Sequence, residues 1–215
     1  MELLKKLVET AGVPGREERI RQIVKDQLEA MDFEEIRTDQ MGNIIAFRAG
    51  KDIEPGGVRK KVMFAAHMDE IGLVVSHIDD KGFLRFQPLG GWDPRTLMAQ
   101  RVTVYGKKDL PGVIGAKPAH ILTEEERKKP LEIKDYFIDL GLPKEEVVKW
   151  VEVGSPVTVH RTMEELGECL TCKTFDDRVG VYCLLEALRK VRCRLYHSRR
   201  GRIERRISRF IGNCP

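Results

Sequence analysis

The sequence predicts an α/β fold, a helix-flanked mixed sheet interrupted by a small β-rich insert, and three observations carry that prediction. Apolar residues recur at helical spacing near the start of the chain and again from Asp177 onward. The run Lys61-Val62-Met63-Phe64-Ala65-Ala66 is apolar on both faces, as a strand buried between helix layers must be. From Glu70 to His160 the texture changes to short strands separated by many turns.

Taken in order, Leu3, Leu4, Leu7, Val8 and Ala11 mark a first helix, which Gly12-Val13-Pro14-Gly15 breaks. Ile20, Ile23, Val24, Leu28 and Met31 mark a second. Strands follow at 35–38 and 43–47, joined by the Met41-Gly42-Asn43 turn, and at 61–66 after the Glu54-Pro55-Gly56-Gly57 turn. The insert reads as strands at 71–78, 83–87, 101–105, 112–114 and 157–159, with one helix over 143–150. Its charged run, Glu124-Glu125-Glu126-Arg127-Lys128-Lys129, reads as a solvated loop or helix face. Val179, Val181, Tyr182, Leu184, Leu185, Leu188 and Val191 then form the stripe of a core helix that begins at Asp176-Asp177. The predicted boundaries are a discontinuous catalytic domain over 1–69 and 161–191, the insert over 70–160, and a tail over 192–215.

Composition narrows the function. With 41% hydrophobic and 33% charged residues in 215, the chain can bury a core. No stretch approaches the roughly 20 apolar residues of a membrane span and no signal peptide opens the chain, so no membrane partner and a cytoplasmic location are expected. Four of the five cysteines, Cys169, Cys172, Cys183 and Cys193, fall within one short stretch, which reads as reduced thiols and not a secreted disulfide framework. The net charge of +4 is confined to the tail: from Arg192 onward there are eight arginines and one acid, leaving 30 bases and 33 acids in the body. No nucleic-acid partner is therefore expected, the tail having only Tyr196 and Phe210 as stacking aromatics.

Two segments could carry chemistry. His67-Met68-Asp69 alternates on an extended backbone, so both polar side chains fall on one side of the strand end. A histidine there can bind a metal through one ring nitrogen while a carboxylate fixes its tautomer at the other, although residues of this kind, taken alone, more often form a hydrogen-bonded structural pair. Asp176 and Asp177 precede a helix, where one aspartate serves as a cap and the other must point away, free to reach a cation. Cys169-Leu170-Thr171-Cys172 has zinc-like spacing but lacks a second pair.

Together, Ala65-Ala66-His67-Met68-Asp69-Glu70-Ile71-Gly72, the insert, and Thr174-Phe175-Asp176-Asp177-Arg178-Val179-Gly180 resemble the tetrahedral co-catalytic aminopeptidases, relatives of glutamyl and deblocking aminopeptidases, some of which carry the name endoglucanase. The resemblance extends over about 1–191 and includes the turns at 12–15 and 39–43 and the stretch at 115–120. It implies a zinc-peptidase-like catalytic domain, two divalent ions (zinc or cobalt), peptide substrates, and an insert that dimerises within a dodecamer. By the same resemblance His67 is a ligand of one metal, Asp176 bridges both, and Asp69, counted with the catalytic residues, orients His67.

The family pattern continues with a strand ending in E-E-V-G, which supplies a general base and a ligand, and with a later aspartate and histidine. None of these is present. The catalytic domain is therefore expected to lack its C-terminal half and this chain to be inactive or nearly so. Residues 197–206 are compatible, one nucleotide out of phase, with T-V-E-E-V-G-L-R-G-G, which points to a frameshift between about 191 and 197. An intact reading frame in resequenced source DNA would contradict it. Two alternatives from other classes are a non-catalytic oligomerisation module and an endoglucanase-type glycoside hydrolase.

Overall fold

The computed structural model describes residues 1–49 and 62–190. The predicted turn at 54–57, Lys61 and the arginine-rich tail lie outside the described residues. Contacts divide the chain into two compact units, Met1–Asp69 with the segment from Phe175, and Glu70–Thr174. The first unit holds α1 (Glu2–Glu9), α2 (Glu18–Glu29), β1 (Glu35–Thr38) and β2 (Ile44–Phe47). The second holds β3 (Gly72–Ile78), β4 (Leu84–Leu89), β5 (Arg101–Tyr105), β6 (Asp109–Ala116), α3 (Glu124–Arg127), β7 (Tyr136–Asp139), α4 (Lys144–Trp150), β8 (Pro156–Val159), β9 (Glu164–Leu166) and β10 (Cys169–Thr171). The chain then returns to the first unit as α5 (Phe175–Lys190).

In the first unit the helical spacing becomes packing. Leu7 of α1, Ile20, Val24 and Leu28 of α2, and Val181 and Leu185 of α5 converge on Ile44 of β2. The turns are tied to this core by polar groups. Glu17, 2% exposed, accepts from the Gly15 amide at 2.6 Å and from Arg21 Nη2 at 3.1 Å, and Arg21 Nε donates to the Gly42 carbonyl at 2.9 Å. One buried carboxylate thus joins the break after α1 to the β1–β2 turn. Gly42 has φ +84°, a left-handed conformation that favours glycine, and it lies against the Arg21 guanidinium. Asp39 closes the same turn by accepting from the Met41 and Asn43 amides. Its carboxyl is held below the usual range, chiefly by the Asn43 side chain.

Arg178 is the largest fully buried side chain. Its Nη1 donates to the carbonyls of Leu7 and Thr10, the latter at 3.0 Å. A guanidinium at the start of α5 therefore satisfies carbonyls that the C-terminal end of α1 leaves unpaired. This joins helices that lie about 170 residues apart in sequence.

The second unit is a closed antiparallel barrel in the order β3-β4-β7-β6-β5-β8, with a separate β9–β10 hairpin. Alternation fills it: Val102 and Val104 from β5, Leu110 and Ile114 from β6, Tyr136 and Ile138 from β7 point inward. α4 adds Val147. Trp92 Nε1 donates to the Gly72 carbonyl at 2.8 Å, and Asp93 caps a 3-10 turn at Pro94–Thr96, which assigns Trp92-Asp93-Pro94 to loop packing. The charged run forms the exposed helix α3.

Three features depart from the sequence-based expectation. The run 62–66 forms no ladder among the described residues, and Val62, Met63 and Phe64 are exposed by 74%, 55% and 65%. Two-sided apolar character buries a strand only if neighbours supply backbone partners and cover; the ladder described in this unit is β1–β2 alone. β7, β9 and β10 are absent from the sequence-based expectation, their strand character coming from pairing, of β7 with β6 and of β9 and β10 with each other. The second unit also runs to Thr174, past the boundary drawn at 160, because Arg161 Nη2 donates to Gln100 Oε1 at 3.1 Å and Lys173 pairs with Glu70.

Replacing Arg178 by methionine keeps bulk but removes both carbonyl hydrogen bonds. It is expected to lower unfolding free energy by about 2–4 kcal/mol, read from the urea midpoint. A loss below about 0.5 kcal/mol, typical of an unimportant surface position, would contradict the role assigned to it.

Candidate metal centre

In the motif Asp176-Asp177-Arg178-Val179-Gly180 each residue has a separate role. Asp176 and Asp177 have non-helical dihedrals, φ −86°, ψ 109° and φ −113°, ψ 35°, and the peptide between them is cis. The regular part of α5 starts after them. Asp177 Oδ1 accepts from the Gly180 amide at 3.1 Å, the bond of an N-cap to its third helical residue. Gly180 is what lets the carboxylate approach, since a Cβ there would overlap the Asp177 side chain. Arg178 turns inward to α1, while Val179 is half exposed.

Asp176 is left over from the cap, and its side chain is 95% exposed. Its Oδ1 lies 3.0 Å from His67 Nε2. The other ring nitrogen, Nδ1, lies 3.2 Å from Asp69 Oδ1, and the Asp69 side chain is only 10% exposed. All three sequence-identified residues therefore come together within the first unit. One imidazole is gripped at both nitrogens, on one side by a nearly buried carboxylate and on the other by a solvated one. Met68 and Ala66 anchor the segment by packing into the core, so the His67 backbone is held although no strand forms there.

Chemically, this is an imidazole whose orientation is set by one nearly buried carboxylate, with its second nitrogen presented beside an oxygen donor. Histidine nitrogen and carboxylate oxygen are both ordinary zinc donors, so the residues present fit a divalent ion. Among the described residues no group of three or more His, Cys, Asp or Glu is placed to hold a metal ion, so His67 and Asp176 supply two donors and no third. His160 Nδ1 bonds to Thr103 Oγ1 at 3.1 Å within the barrel unit. Cys169, Cys172 and Cys183 are free thiols. Sequence reasoning does not single out the side chain of Arg178, although its charge, set in an otherwise apolar helix stripe, signals a buried role.

Comparison with known proteins places the chain in a family. Residues 42–197 match the M42 glutamyl aminopeptidase family. The putative aminopeptidase FrvX of Escherichia coli is 37% identical over 196 residues, covering 89% of this chain and 53% of that protein. The crystal structure of a TET aminopeptidase from a marine-sediment Thaumarchaeota archaeon superposes with a TM-score of 0.81 at 37% identity, over 88% of this chain and 53% of that one. The Pyrococcus horikoshii TET1 peptidase, which can assemble into a tetrahedron or a large octahedral shell, gives 0.75 at 35% identity, over 88% and 56%. The chain spans about half the length of the curated relatives it matches. The fold class is α/β, as in these structures. By the extent of the match, this chain belongs to the M42 glutamyl aminopeptidase family.

Proposed function

We propose that this chain carries part of the metal site of an aminopeptidase that removes N-terminal residues from peptides. The observation that carries the reading is the His67 imidazole, oriented at Nδ1 by Asp69 and presented at Nε2 beside Asp176. His67 and Asp176 would hold a divalent ion, zinc or cobalt, with Asp176, whose exposed carboxylate has two oxygens, bridging to a second. Bound divalent ions polarise a scissile carbonyl and acidify water. Asp69 acts by positioning, since it fixes the proton on Nδ1 and leaves Nε2 as the donor. Among the described residues no group of three or more metal-binding side chains is placed to hold an ion, so the chain by itself is expected to bind metal weakly and to show little or no peptidase activity.

The barrel unit Glu70–Thr174 is proposed as the module through which copies of the chain pair, the assembly of TET1 being the supporting parallel. A cytoplasmic setting is part of the same proposal; among the described residues no helix is long and apolar enough to cross a membrane. A glycosidase reading is not favoured. Sugar hydrolysis uses two carboxyl groups flanking a cleft, whereas here two carboxylates converge on one imidazole.

Titration of the purified full chain with cobalt is expected to produce visible ligand-field bands that His67→Ala removes; equal bands in both proteins would overturn the site. Light scattering on the same sample is expected to report a dimer or larger species. A monomer at every concentration would remove the assembly role.

A further inference from the structure

Glu70 and Lys173 form an ion pair almost wholly withdrawn from water, with side chains 3% and 6% exposed. Lys173 Nζ lies 2.6 Å from each Glu70 carboxylate oxygen. Burying two charges is costly, and an apolar pair of similar volume often folds as well, so stability alone does not explain such a pair. Its place in the chain does. Glu70 is the first residue of the barrel unit and Lys173 the last but one, 103 residues later. The pair therefore binds together, inside that unit, the two passages by which the chain enters and leaves it.

Each passage leads directly to the metal site. Asp69, which orients His67, precedes Glu70, and Asp176 follows Lys173 by three residues. The intervening backbone has little slack, because Asp69 is 7% and Thr174 2% exposed. We propose that the Glu70–Lys173 pair is a positioning device that sets the approach of Asp176 to the Asp69-held His67. The role assigned to the pair is positioning, exerted through the two chain passages. Donor distances in a metal site are fixed to within about 0.2 Å, so a shift of either passage costs affinity before it costs folding. This inference rests on the metal-site reading above.

The test measures cobalt affinity and thermal unfolding of the full chain with Lys173→Met, Glu70→Gln, the double variant, and His67→Ala. The double variant leaves no uncompensated buried charge and is the one expected to keep the parent's melting temperature and circular dichroism. It should nonetheless bind cobalt about tenfold to a hundredfold more weakly, the loss typical when groups supporting metal ligands are removed. Each folded single variant should lose affinity, and the double should lose no more than the worse single. Parental affinity in the folded double variant, with binding abolished by His67→Ala, overturns the positioning role and leaves the metal site standing. Parental affinity in His67→Ala overturns the metal site itself, and this inference with it.

Discussion

The site depends on one constraint, that the His67 ring is held at both nitrogens by carboxylates that arrive from distant parts of the sequence. Asp69 is two residues away and nearly buried; Asp176 is 109 residues away and open to water. The first contact orients the ring. The second places a solvated carboxylate oxygen beside the other nitrogen. Everything else in the first unit serves to bring those two passages to the same place: the apolar core that seats Met68 and Leu185, and the Arg178 guanidinium that joins the start of α5 to the end of α1.

The five residues from Asp176 to Gly180 show how tightly function and folding share a sequence. A helix start needs one cap, and Asp177 supplies it; the cap needs close approach, and Gly180 permits it. With its amides served, the helix makes no demand on Asp176, which is released for other chemistry. The buried charge of Arg178 lies between the cap and the glycine and fixes the helix to the rest of its unit. The barrel unit is self-contained by comparison. Its closed sheet has no free edge, its interior is filled by alternation, and its two chain passages are joined by a buried ion pair.

Much of this was legible in the residues. Period-3.6 stripes placed α1, α2 and α5, and short β-branched or apolar runs bounded by turns placed β1, β3, β5 and β8. The site was legible because polar residues stood where an apolar pattern ended, at His67-Met68-Asp69, and because two adjacent aspartates exceeded what one helix needs. Less legible was anything that depends on partners far along the chain. The apolar run 62–66 has the residue types of a buried strand, but residue type cannot specify the neighbours that make it one, and its first three described residues face solvent. β7 was hidden for a similar reason: its status as a strand comes from pairing with β6, which ends at Ala116, well before β7 begins at Tyr136. The Glu70–Lys173 pair joins residues that are ordinary locally and meaningful only once the barrel brings them together.

The measurement that bears most directly on this account compares cobalt binding and unfolding in Asp176→Ala and Asp177→Ala. Asp176, exposed and outside the cap, is predicted to be dispensable for stability and needed for binding. Asp177→Ala is predicted to lower stability by about 1 kcal/mol through loss of the cap while cobalt still binds. The reverse pattern, binding retained without Asp176 and lost without Asp177 in a folded chain, would contradict the division of labour on which the site is built.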